Sequence, residues 1–293
     1  MLKFNKHLAK VHAYLCADGY VIKSDKVGRK YYYIGFRNYK NTLLTDFDNH
    51  FEAYFDIKPR RMSDGRSVVQ NKEIILKLIE NDSYYSLDWK IPKLTKRLST
   101  YWLQAYFDCE AWVLIQEAQS RLIGVDSINK SGLLSIQTHL KKLGINSKVQ
   151  LGRSNIPNRN DIYRLFIYGK ENLKKFQRKI NFFHTIKKLK LQRAIESYVD
   201  RNWKISPSEC GNQEKAVREM LSMKNGFKKR GTYSICSMKR YNLVHLKKFL
   251  QKELKIDSRI SPLRTNPAGS KFYEFTINNK DHVKKLKNFI YPQ

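Results

Sequence analysis

The sequence predicts an α+β protein made of two pseudo-symmetric αββαββα units and a third, related βαββα-like unit. Three observations predict it. Two apolar stretches of helical length, VHAYLCADG at residues 11–19 and LQAYFDCEA at residues 103–111, stand 92 positions apart. Each ends in an acid followed by a tiny residue. The order of segments behind the first stretch repeats behind the second. Finally, YRLFIYGKENLKKF at residues 163–176 returns as YEFTINNKDHVKKL at residues 273–286, a constant offset of 110, and HLKKL at 139–143 returns as HLKKF at 245–249.

The first unit spans residues 1–97. Behind its opening helix, YVIKSD and YYYIGFRN read as strands and LLTDFDNHFEAYF as an amphipathic helix. RSVVQNKEIILKLI is a strand running into a closing helix. Pro92 then breaks any helix, so a linker is expected there. The second unit spans 98–198. AWVLIQEA and SRLIGVDS are its first strands, and a helix follows over residues 130–143. KVQLGRS and IYRLFIYG form a second hairpin, and ENLKKFQRKINFF closes the unit. In the third unit, residues 199–293, the opening apolar helix is replaced by the polar PSECGNQEKAVREMLSM. Its expected start is Ser206 as N-cap, Pro207 at the first helical position and Glu209 closing a capping box. No acid stands where the first two units have theirs, and this basic unit is expected to bind nucleic acid.

The 293 residues suit two or three domains, and 41% hydrophobic content is enough for ordinary cores. No apolar run approaches the roughly 18 residues needed to span a bilayer, and MLKFNKHLAK is too charged for a signal-peptide core. An intracellular protein is expected, in cytoplasm, nucleoid or organelle matrix, neither secreted nor membrane-bound. Cys16, Cys109, Cys210 and Cys236 lack metal-ligand spacing and read as packing residues. The formal charge of +31 points to a polyanionic partner. Residues 201–293 are the most basic third, with 21 Lys and Arg against 7 Asp and Glu.

The two apolar stretches carry the chemistry. Ala13 and Ala17 share one helix face, as do Ala105 and Cys109, and small residues at that spacing let two helix backbones approach. If the helices pack together, Asp18 and Glu110 arrive side by side at their C-terminal ends. Two anions at negative helix ends need a cation. Each stretch alone reads equally well as a buried core helix with a C-cap.

Position by position, both stretches resemble the LAGLIDADG motif of homing endonucleases, whose eighth position is the metal-binding acid, here Asp18 and Glu110. The sixth position is Cys16 in one copy and Asp108 in the other, and the final glycine of the second copy is Ala111. Trp-x-Ile-Pro at residues 89–92 also resembles the linker of monomeric members. The resemblance implies motif helices at the interface of two units whose sheets form a saddle over the DNA major groove. It implies a monomer cutting a long double-stranded target with Mg²⁺, which Mn²⁺ replaces and Ca²⁺ occupies without efficient turnover. In the family a lysine follows an I-x-F pattern, and behind Ile180-Asn181-Phe182 the matching residue is Lys187. Lys187 and Lys188 fit the solvated face of a Lys-rich helix equally well. Arg37 or Asn38 in unit one, and Ser127 in unit two, are the nearest polar counterparts. Long polar strand residues expected to face DNA are Lys23, Lys30, Tyr32 and Arg37 in unit one. In unit two they are Gln116, Gln119, Arg121, Gln150, Arg153 and Arg164. Each singly fits a solvated strand face as well.

The implied activity is a site-specific DNA endonuclease. The alternative is an intron RNA maturase, with intron RNA as its partner, or a non-cleaving DNA-binding regulator on the same fold. Both acids are present, which favours cleavage. The chain starts with Met-Leu and ends in Tyr-Pro-Gln, without the terminal Asn of a protein-splicing element. A freestanding or intron-encoded enzyme is therefore expected.

Overall fold

The first helix, α1 (Lys6–Cys16), begins where the Asn5 side chain accepts hydrogen bonds from the N–H groups of His7 and Leu8. From Leu8 to Cys16 every residue is buried, Lys10 and His12 included. A helix buried on all sides must lie between other elements. The computed structural model describes the whole chain except residues 1, 27–28, 81, 117–119, 153–159, 199–202, 225, 267–270 and 293, and the side chains of residues 26, 29 and 30. The chain divides into two compact units, Met1–Ser197 and Tyr198–Gln293.

In the first compact unit, α1 is followed by β1 (Gly19–Lys26), β2 (Arg29–Arg37), α2 (Asn41–Phe55), β3 (Arg60–Arg61), β4 (Arg66–Val69) and α3 (Lys72–Ile79). A second pass runs through α4 (Lys96–Glu110), β5 (Ala111–Ile115), β6 (Arg121–Ser127), α5 (Lys130–Lys142), β7 (Lys148–Leu151), β8 (Tyr163–Tyr168) and α6 (Lys170–Lys179). A further helix, α7 (Thr185–Glu196), closes it. The two sheets have the same antiparallel order, β1-β2-β4-β3 and β5-β6-β8-β7. This is the αββαββα repeat, present twice in an α+β fold. Both passes share one compact unit because α1 packs directly on α4.

Polar anchors cross that helix pair. Trp102 Nε1 donates to His12 Nδ1 at 3.0 Å, and the Trp102 ring stacks on Tyr106. The linker is pinned as well. Trp89 is 2% exposed, packs on Trp102 and Tyr106, and its carbonyl accepts from Asn129 Nδ2 at 2.7 Å.

Lys10 lies within the core and therefore needs a partner. Its ammonium donates to Asp46 at 2.9 Å, and the Tyr14 hydroxyl donates to the same oxygen at 2.7 Å. Burial works against ionising Asp46, but the contacts from His50, Lys10 and Tyr14 overcome it and hold the carboxyl at about 2. A carboxyl held below its unfolded value stabilises the fold above that value, and the contribution is lost as pH falls toward 2. Asp46→Asn, which leaves a buried ammonium poorly matched, should cost about 3 kcal/mol at pH 7. Urea unfolding at pH 7 and at pH 3 checks this, and the deficit should shrink at the lower pH.

The second compact unit holds α8 (Gln213–Ser222), β9 (Tyr233–Ser237), α9 (Arg240–Leu254), β10 (Arg259–Ile260), β11 (Arg264–Thr265), β12 (Lys271–Ile277) and α10 (Lys280–Ile290). β12 pairs with β9 on one side and with β10 and β11 on the other. From β9 onward the order is βαβββα, the expected βαββα with one additional two-residue strand, β11. β9–β12–β10 matches β2–β4–β3 and β6–β8–β7 in sequence order and pairing. The counterpart of β1 and β5 is reduced to a bridge between Phe227 and Tyr233. Tyr233, Leu243, Leu246, Leu250, Phe275, Ile277 and Leu286 form a core of their own.

The start of the polar helix differs from expectation. Ser206 and Glu209 do bond to each other, through Ser206 Oγ to Glu209 Oε2 at 2.6 Å, but they close an isolated turn. The helix begins at Gln213, where the Asn212 side chain accepts from Lys215 N–H. Gly211 separates the two, and Asn212 is the stronger N-cap because helix-forming residues follow it without interruption.

Candidate active site

The acids reach the same place by different local routes. After Cys16 the chain turns through Ala17 and Asp18 and doubles back into β1 at Gly19. A Cβ on Gly19 would stand 2.6 Å from Leu15 Cα, so this tight return requires glycine. In the second copy the helix runs on through Glu110, and Ala111 enters β5 in ordinary extended backbone. Alanine fits there, which accounts for the difference between the two motif endings.

Asp18 is held by donors. Asn38 Nδ2 donates to Asp18 Oδ2 at 2.8 Å, and the Arg37 N–H donates to the Asp18 carbonyl at 3.2 Å. The Cys109 thiol, from the other helix, also favours the charged form of the carboxylate. Burial pushes the Asp18 carboxyl up, with Asn38, Cys109 and Lys187 pulling the other way. Burial likewise raises the Cys109 thiol well above its usual range, reinforced by Asp18 and Glu110, so it keeps its proton.

Glu110 is pushed up to about 7, first by burial and then by the Asp18 charge, with Asp126 adding to the shift and Lys187 opposing it. Glu110 thus senses the Asp18 charge across the α1–α4 contact. A cavity of about 290 Å³ opens beside Glu110, with Cys16, Ala17, Ser86, Asp126 and Ser127 in its wall. Among the described residues no group of three or more His, Cys, Asp or Glu is arranged to hold a metal ion.

Of the four small interface residues, Ala13 and Ala105 are fully buried, and Ala17 and Cys109 are half-buried at the helix ends. Lys187 lies in the site, though not as an open cation. Its Nζ donates to the carbonyls of Asp108 at 2.6 Å, Cys109 at 3.1 Å and Phe107 at 3.4 Å. These belong to the last turn of α4, where the Phe107 carbonyl also accepts from the Ala111 N–H and those of Asp108 and Cys109 lie beyond the helix's own bonding pattern. Lys188 is exposed. Asp108 completes the arrangement, for its carboxylate accepts from the N–H groups of Phe183 and His184 at 2.9 and 3.0 Å, where α7 begins. The end of α4 and the start of α7 therefore clamp each other. Asp108 was not singled out from the sequence. The signal was an acid inside an apolar helix, which has to find donors when buried.

Strand parity sorts the expected surface residues. Ile34 and Phe36 are buried against the helices, and residues an even number away share their face. Tyr32 is among these, with Lys72 over its ring, and Lys23 is paired to it across the sheet. Lys30 belongs to the same register, opposite Asp25, and its side chain lies outside the described residues. The expectation that Lys23 and Tyr32 lie on the open face is corrected. That face carries Tyr20, Ile22, Tyr31, Tyr33, Arg37 and Arg66, which line a recess of about 450 Å³.

In the second sheet, Arg121 is also on the helix side, because it pairs with Ile115 in register with buried Val113 and Ile123. Its guanidinium donates to Ser197 Oγ and to the Ser197 carbonyl, tying down the end of α7. Gln150 and Arg164 do share the open face as a cross-strand pair, and Arg164 lies 3.2 Å from Asp126. Gln116 is exposed just beyond β5. Gln119 and Arg153 fall outside the described residues. The two open faces share a device missed from the sequence. Tyr20 lies over Gly35 and Trp112 over Gly124, each so close that a Cβ would sit 2.3 Å from the ring.

No helix among the described residues is long and apolar enough to cross a membrane. No curated protein matches the chain. Several solved structures are similar to parts of it. Mesophilic variants of the homing endonuclease I-DmoI share 16% identity over 59% of this chain and 97% of theirs, with a TM-score of 0.43. I-WcaI bound to its DNA recognition sequence shares 14% over 65% of this chain and 88% of its own, at 0.42. The LAGLIDADG meganuclease I-AabMI bound to uncleaved DNA shares 13% over 77% and 100%, at 0.40. With TM-scores below 0.5, these likenesses carry nothing about function. The family model of the LAGLIDADG-like domain matches residues 98–181, which run from α4 to α6. Residues 98–181 thus match a LAGLIDADG-like domain.

Proposed function

We propose that this chain is a site-specific double-strand DNA endonuclease that hydrolyses phosphodiester bonds with a divalent metal, Mg²⁺, shared by Asp18 and Glu110. One observation carries this reading: two carboxyls meet at the ends of packed helices, and burial and mutual charge push Glu110 up to about 7. Such a pair is costly until a cation neutralises it. The donor set fits Mg²⁺. It offers hard carboxylate oxygens beside a thiol that stays protonated.

When bound, divalent metal supplies an activated water and stabilises the leaving 3′ oxygen. The chain's own residues do the positioning. Asn38 orients Asp18, the Cys109 thiol favours its charged form, and the Asp108–Lys187 clamp fixes the helix end that carries Glu110. Arg37 and Arg66 on one open face, and Gln150 and Arg164 on the other, suit contacts to phosphates and to guanine or adenine edges. Such a chain acts as an intracellular monomer on a long target.

The test is selection of bound fragments from a random duplex library in Ca²⁺, followed by a switch to Mg²⁺. One long site cut in both strands supports the endonuclease. Specific binding without a cut would make the chain a regulator, and retention of structured RNA in place of duplex would make it a maturase. Removing residues 201–293, with their excess of 14 positive charges, should weaken binding at least about tenfold near 0.15 M salt and flatten its salt dependence. The cut position should not move, and a shifted cut in a sequencing gel would show that those residues set register.

A further inference from the structure

The β9–β12–β10 sheet has its helices on one side only. Phe275 and Ile277 of β12 turn into the core with Leu243, Leu246 and Leu286, so residues of opposite parity form an open face. That face is basic. Arg259 is paired across from Thr276 and Arg264 across from Phe272, and both arginines are exposed. Lys224 and Lys228 lie close enough to act electrostatically on Cys236, which shares the face opposite Glu274. The acid on these strands, Glu274, is already engaged by Arg264 and by the Ser234 hydroxyl. Besides these, the face presents Phe272 and the Thr276 hydroxyl, and no Asn or Gln occupies its described strand positions.

We propose that this open face is a second nucleic-acid surface of the protein, holding the phosphate backbone of duplex DNA without reading its sequence. The proposal rests on reading the chain as a duplex-DNA enzyme. Its support is charge complementarity: clustered guanidinium and ammonium groups suit phosphate oxygens, Arg264 is committed to Glu274 and so not free to grip a guanine edge, and bidentate amide readers are missing from those positions. Over β9, β12 and β10, the helix-free side of this sheet corresponds to the open faces of β2, β4 and β3 and of β6, β8 and β7. It keeps the architecture and lacks the acid.

Two triple variants of the full chain separate a local surface from general positive charge. Lys228→Gln with Arg259→Gln and Arg264→Gln removes three charges from the open face. Lys284→Gln with Lys285→Gln and Lys287→Gln removes three exposed charges from α10, which packs on the core side. Binding to a duplex carrying the selected site is measured in Ca²⁺ from 50 to 300 mM salt, and the cut is mapped in Mg²⁺. The open-face variant should lose roughly tenfold or more in affinity near 0.15 M salt. The slope of log K against log salt should become shallower by roughly 1 for each phosphate no longer neutralised, at an unchanged cut position. The α10 variant should match the wild type. Equal losses in both variants, or none in either, would overturn the proposal, as would a loss confined to structured RNA. A wild type that neither binds nor cuts any duplex would instead remove the endonuclease reading beneath it.

Discussion

Glu110→Gln is expected to bind the target duplex, cut neither strand at a measurable rate, and unfold at a higher temperature than the wild type at pH 8. The loss of cleavage should exceed about a thousandfold, because an amide cannot neutralise or hold a divalent cation as a carboxylate does. The gain in stability follows from the same residue. The Glu110 carboxyl stands at about 7 against an ordinary 4.5. Between those values the folded protein keeps a proton that the unfolded chain has released, so stability falls as pH rises through the window. Above it the full cost of a buried anion is present, on the order of 3 kcal/mol. Glutamine removes that cost and keeps the shape. Metal-free melting curves at pH 8 and pH 5 check the claim, and the advantage of the variant should be small at the lower pH. Asp18→Asn should also stop cleavage with a smaller stability gain, since Asn38 and the Cys109 thiol already support the Asp18 anion. Equal melting of Glu110→Gln and wild type at pH 8 would show that Glu110 is not buried beside a second anion.

Much of this arrangement was legible in the residues. Two apolar runs with small residues four apart demand close helix packing, and α1 does pack on α4. The contrast between Asp-Gly and Glu-Ala endings encodes two backbone routes, a tight return at Gly19 and a direct exit at Ala111. Other features were legible but missed. In YYYIGFRN, the buried pair Ile34 and Phe36 sets the parity, which assigns Tyr32 to the helix side and Tyr31 and Tyr33 to the open face. Choosing strand residues by length and polarity, without that parity, displaced part of the expected DNA surface by one position. Arg121 failed for the same reason, and its guanidinium serves the end of α7. The interlock of Asp108 and Lys187 was not legible. It joins residues 79 apart through backbone groups, and a side-chain pattern carries no record of which carbonyls a lysine will meet.

Lys187→Met should lower cleavage at neutral pH by about ten- to a hundredfold and shift the pH profile upward, with duplex binding in Ca²⁺ little changed. The size is that of losing a group that orients a metal ligand. The direction comes from electrostatics: the Lys187 charge pulls the Glu110 carboxyl down, so its removal lets Glu110 hold a proton to still higher pH. More alkaline conditions are then needed to free the carboxylate. Lys187 itself is drawn below its usual range by burial, against the pull of Cys109, Asp108, Glu110 and Asp18. Its three donors end on α4 carbonyls, so the substitution should also cost roughly 2 kcal/mol through groups left without a charged donor. Asp108→Asn discriminates between two roles for the lysine. It breaks the other half of the clamp at the Phe183 and His184 N–H groups without removing the ammonium. If Lys187 acts by holding the end of α4, Asp108→Asn should reproduce part of the rate loss. A lysine that acts directly on the attacking water would lose rate only in Lys187→Met, and single-turnover rates of the two variants between pH 6 and 9 separate those cases.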